Sequence, residues 1–179
     1  MVDAGTRQVW LHRLLFVAMG LALLFLRLLP LRSEAGDMPG PDLLLCVIFA
    51  WTMRRPDYLP ALLIAAVVLL EDLVLMRPPG LWAALVVVAS EFIRGRVALT
   101  RELNFGVEWL LVAGLMVGLM VVNRMIFALF LLPQTNFGYA LLQVVMSMIA
   151  YPLVVFLSRV LLDLHKPATG EVDAYGRRM

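Results

Sequence analysis

Glu71 and Asp72 stand side by side in the run Leu59–Gly80, LPALLIAAVVLLEDLVLMRPPG, and nothing else in it before Arg77 is ionisable. Two neighbouring carboxylates can divide acid and base roles when their environments differ. That chemistry needs companions, and the chain supplies no nucleophile, metal-binding histidine cluster or phosphate-cradling loop beside them. Adjacent helical residues also diverge by about 100° around the axis. His12 and His165, both near predicted helix ends, read as surface or interfacial side chains. Cys46 is the only cysteine, which excludes intrachain disulfides and multi-cysteine metal sites. No catalytic residue, metal site or cofactor is assigned, and the pair reads as non-enzymatic.

The pair then poses a physical problem. A carboxylate inside a bilayer costs about 2.5–3.5 kcal/mol on insertion scales, so it requires a partner, a proton or a cavity. Arg27, Asn123 and Arg124 fall at similar depth on two other helices. Arginine suits a carboxylate partner because its planar fork stays charged. Arg27 and Arg124 either join the acidic pair in one polar layer or snorkel to the headgroups. Asp72 is expected to be internal, whereas Glu71 is left free to point to water.

These residues sit in a chain of 179 residues that is 63% hydrophobic and 16% charged, with a net charge of +2. Soluble domains are about 45–50% apolar, so the expectation is one integral membrane domain, all-α, with six transmembrane helices. The segments are about 10–29, 42–53, 58–76, 81–96, 105–132 and 137–164, with a short tail over 165–179. The first is too long for a cleaved signal peptide and is expected to remain as an anchor. The second is short for a roughly 30 Å hydrocarbon core and reads as a thin crossing or a re-entrant hairpin. Arginine placement favours the crossing. Six spans put Arg7, Arg13, Arg54, Arg55, Arg94, Arg96, Arg101, Arg159, Lys166, Arg177 and Arg178 on the cytoplasmic side, and only Arg32 and Arg77 outside. Both termini are therefore expected in the cytoplasm. The charge is too small for a nucleic-acid binder.

Trp10, Tyr58, Trp82 and Trp109 lie near segment ends, as interfacial aromatics do. Gly114 and Gly118 form a G-x-x-x-G that lets a helix approach closely, either an internal neighbour or a partner subunit. Pro152 is expected to bend the sixth helix, and Glu91 to pair locally with Arg94.

The stretch Pro41–Gly80 resembles the central part of the MreD family of bacterial inner-membrane rod-shape-determining proteins. The resemblance rests on Pro41 followed by Leu43 and Leu44, on Trp51, and on the basic turn Met53-Arg54-Arg55-Pro56. It continues with Asp72 late in the third helix and Gly80 eight residues on. The turn Arg77-Pro78-Pro79-Gly80-Leu81-Trp82 and Glu91-Phe92 are most similar to alphaproteobacterial members. Family members often carry a glycine one turn before the acidic residue, where this chain has Val68.

The resemblance implies a six-helix bundle like the S-components of energy-coupling-factor transporters, in the inner membrane as a multi-pass protein. It implies a scaffold that holds MreC in a groove opening to the outer side. It would also help link MreB filaments to the peptidoglycan synthase formed by RodA and a penicillin-binding protein. Homodimerisation within that complex is left open. The competing expectation is a transporter S-component with a vitamin in its cavity, against which the short outer loops count.

Overall fold

The computed structural model describes residues 4–29, 39–96, 104–162 and Leu164. Among them are six α-helices and no strand: α1 (Ala4–Leu28), α2 (Leu43–Arg54), α3 (Ala61–Val74), α4 (Leu81–Arg94), α5 (Phe105–Leu129) and α6 (Phe137–Leu162). A 3₁₀ turn, Pro56–Tyr58, joins α2 to α3. Arg32, Arg101, His165, Lys166, Arg177 and Arg178 lie outside the described residues.

Helix α2 organises the rest. Asp42 caps it by accepting the Leu45 amide at 3.1 Å, the standard remedy for an orphan N–H in the first turn. Eleven of its twelve residues are buried, as expected for a helix that is apolar all round. It packs against α6, α4, α1 and the 3₁₀ turn. Expected as a thin crossing or a hairpin, this segment is the central helix of the bundle. Its length of about 18 Å is set by the core it fills, because longer neighbours face the surroundings.

Those neighbours are Thr6–Leu28, Phe105–Leu129 and Phe137–Leu162, with mean hydropathies of 2.1, 2.2 and 2.2, each long and apolar enough to cross a membrane. Their outward faces are apolar; Leu14, Leu129 and Leu161 are 66%, 77% and 72% exposed. An apolar exterior of this extent marks a membrane protein. The shorter α3 and α4 pack on each other as a helical hairpin.

Several boundaries differ from expectation for visible reasons. Helix α1 starts at Ala4 rather than Trp10, because Arg7 and Gln8 are good helix formers and Val9 is already in the core at 3% exposure. Helices α3 and α5 each stop early through the same device. Met76 and Leu131 take φ of 53°, Arg77 N–H donates to Asp72 O at 2.9 Å, and Leu132 N–H donates to Phe127 O at 2.9 Å. A left-handed residue closed by such a backbone bond ends a helix, and Pro78 and Pro133 follow. Helix α6 continues through Pro152 to Leu162.

Trp10 is 57% exposed, but Tyr58 is buried and Trp82 and Trp109 are half-buried. His12, read as a surface or interfacial side chain, is 9% exposed and stacks on Tyr58 with centroids 4.3 Å apart. The α1–α3 crossing is tight at Gly20, where an added Cβ would lie 2.9 Å from Val67 Cγ1. Close approach in this chain therefore comes from a glycine on α1, and Val68 is packed into the core at 1% exposure.

Candidate functional site

Asp72 occupies the last full turn of α3, and its carboxylate reaches across the turn to the start of α4. Oδ2 accepts the Gly80 amide at 3.2 Å and the Ala83 amide at 3.3 Å. The first amides of a helix have no partner within it and carry a partial positive charge. A carboxylate placed there satisfies both needs and compensates for its own burial. Asp72 is 0% exposed, and its Oδ1 is buried without a hydrogen-bond partner among the described residues. Gly80 makes the geometry accessible with φ of 89°, a left-handed conformation that costs glycine nothing.

Glu71 points elsewhere on the same turn. It is 1% exposed and accepts a hydrogen bond from Arg27 Nη1 on α1. Glu71, whose direction the sequence leaves open, is the member of the acidic pair that takes the arginine. Arg27, the first candidate for snorkelling, is the one that bridges.

Arg124 does not join this pair. It donates to the Thr135 carbonyl at 3.0 Å and lies over the Phe137 ring at 5.3 Å. Arg124 and Asn123 instead line a cavity of about 700 Å³ that Arg27, Asp42 and Arg77 also line. The expected polar layer is thus divided into an ion pair, a helix cap and a cavity wall.

Pro41 precedes the α2 cap. The Asp42 amide donates to Ser147 Oγ on α6 at 2.8 Å, and Ser147 Oγ donates to Gln143 O at 2.8 Å. Gly114 and Gly118 face open space, with nothing within 4 Å of an added Cβ. Their G-x-x-x-G serves no internal neighbour among the described residues.

A second buried cluster was not anticipated. Arg54, assigned to a cytoplasmic turn by its charge, is 6% exposed and pairs with Glu108 of α5 at 2.9 Å. Tyr151 of α6 donates to the same Glu108 oxygen at 2.9 Å, and Arg54 also donates to Ala50 O at 3.1 Å. Three helices meet at this group. The signal in the sequence was Glu108 itself, an acid one turn inside a long apolar helix. Glu91 and Arg94 do pair locally, and Arg94 donates to Leu59 O as well.

Among the described residues, no group of three His, Cys, Asp or Glu side chains comes together. The buried ionic groups act on helices: they fix α1 to α3, α3 to α4, and α2 to α5 and α6. No protein-family model matches the chain, and no curated protein or solved structure matches it.

Proposed function

We propose that this chain is a non-enzymatic membrane scaffold of the MreD type, which holds MreC. It also helps couple MreB filaments to the RodA and penicillin-binding-protein synthase. The observation that carries the reading is the contact between Asp72 and Gly80. These are two of the positions on which the MreD resemblance rests, and the contact gives their eight-residue spacing a physical purpose. A scaffold of this kind needs buried charges that lock helices, and Glu71, Asp72 and Glu108 are each engaged in that way.

In this reading the chain crosses the bacterial inner membrane six times with both termini in the cytoplasm. The short helices α2, α3 and α4 contribute within a bundle whose lipid contact is mainly α1, α5 and α6. The open face at Gly114 and Gly118 receives the transmembrane helix of MreC, since two small residues one turn apart let backbones approach closely. The test is copurification of MreC from cells in which this chain replaces the resident copy, scored with cell shape. Stable capture of MreC and rod-shaped cells support the scaffold. A well-expressed protein that captures no MreC and leaves cells round overturns it.

The 700 Å³ cavity favours a second reading, a small-molecule-binding S-component, because ligand pockets are typically about 300–1,000 Å³. A vitamin retained through purification would support that reading over the first.

A further inference from the structure

The cavity at the Arg27 end sets three guanidiniums, Arg27, Arg77 and Arg124, against one carboxylate, Asp42. Asp42 is engaged in capping α2, Arg27 in its pair with Glu71, and Arg124 with the Thr135 carbonyl. The charge of Arg77 acts on the carboxylates of Glu71 and Asp72. Three guanidiniums thus reach one cavity, from α1, the α3–α4 turn and α5, and guanidinium geometry matches phosphate oxygens. Met116 and Met120 form an apolar part of the same wall.

A second space of about 530 Å³ adjoins it between α1 and α6, where Leu23, Leu26, Leu28 and Leu43 line a cleft together with Glu71, the partner of Arg27. Arg27, Tyr139 and Gln143 border both spaces, so a charged chamber leads into a leucine-lined one. A small soluble anion has no use for the second chamber. An amphiphile fills both, with its charge at the arginines and its chain along the leucines, where each buried CH₂ contributes about 0.8 kcal/mol.

We propose that this chain binds an anionic, phosphate-bearing lipid, its phosphate held by Arg27, Arg77 and Arg124 and its chain lying in the cleft between α1 and α6. The site is separate from the Gly114–Gly118 face, and the inference does not depend on the scaffold reading.

The test is a titration of the purified full-length protein in detergent with dioleoyl-phosphatidylglycerol, dioleoyl-phosphatidylcholine and inorganic phosphate, read by native mass spectrometry and by the fluorescence of Trp82, which lines the cavity. Phosphatidylglycerol is expected to bind about tenfold more tightly than phosphatidylcholine, the worth of one charge-assisted hydrogen bond. The double variant Arg77→Gln/Arg124→Gln is expected to remove that preference. If the double variant is not monodisperse, Arg77→Gln alone serves, compared at matched unfolding temperature because Arg77 also acts on Glu71 and Asp72; it is expected to weaken phosphatidylglycerol binding about threefold. Equal affinity for the two lipids, or unchanged phosphatidylglycerol affinity in the Arg77→Gln variant, overturns the proposal. Inorganic phosphate binding as tightly as the lipid overturns the lipid as occupant and identifies a soluble anion.

Discussion

The Asp72 carboxylate and the Gly80 amide, eight residues apart in the chain, meet at 3.2 Å, and the same oxygen reaches the Ala83 amide at 3.3 Å. Helix α3 thus carries the N-terminal cap of helix α4. Replacing Asp72 by Ala removes an anion from a helix start and leaves the Gly80 and Ala83 amides unmatched, a loss of about 1–2 kcal/mol. Asp72→Asn keeps an acceptor but no charge, so its loss falls between wild type and Asp72→Ala. Thermal unfolding in detergent orders the three proteins.

Gly80→Ala acts on the same junction from the other side. At φ of 89° a Cβ is strained, at a cost of about 1–2 kcal/mol. Because Gly80 and Asp72 share one hydrogen bond, the double variant should lose less than the sum of the single losses. Additive losses in the unfolding series would mean that the two residues act independently.

The acidic pair was visible in the sequence because charge inside an apolar run is conspicuous, and the hydrophobic runs marked the long helices. What each acid touches was not visible. Glu71 and Asp72 are about 100° apart on one helix, so which of them faces α1 and which faces α4 depends on how α3 is rotated in the bundle. The partner of Arg54 was hidden for a related reason. Charge counting treats every arginine near a segment end as solvated, whereas the Arg54 side chain turns inward to Glu108. The burial of α2 on all sides was not legible either, since periodicity alone does not separate a helix buried by protein from one facing lipid.

The Arg54–Glu108 pair yields the largest stability effect. Glu108→Ala leaves a buried guanidinium unpaired and should cost about 3–5 kcal/mol. The double replacement Arg54→Met/Glu108→Leu removes both charges and should recover most of that loss. Tyr151→Phe removes one hydrogen bond to a charged group and should cost about 1.5–3 kcal/mol. If the double replacement unfolds as early as Glu108→Ala, the pair does more than satisfy itself.

Gly20 sets the α1–α3 distance, with the position of an added Cβ 2.9 Å from Val67 Cγ1. Gly20→Leu should separate the helices and weaken the Arg27–Glu71 bridge between them, lowering stability by about 1–3 kcal/mol. Val67→Ala in the same protein should relieve part of the loss by vacating that volume. Failure of Val67→Ala to relieve any of it would place the strain elsewhere.

The scaffold account is tested most directly at the Gly114–Gly118 face, because that face is open and can be filled without disturbing the chain's own packing. The measurement is the amount of MreC that copurifies with Gly114→Leu/Gly118→Leu relative to wild type, at matched expression and unfolding temperature. The account predicts that MreC falls about tenfold or more, the effect of losing a close-packed helix contact of about 1.4 kcal/mol or more, and that cells lose their rod shape. Undiminished MreC and normal rods in the double variant would contradict it.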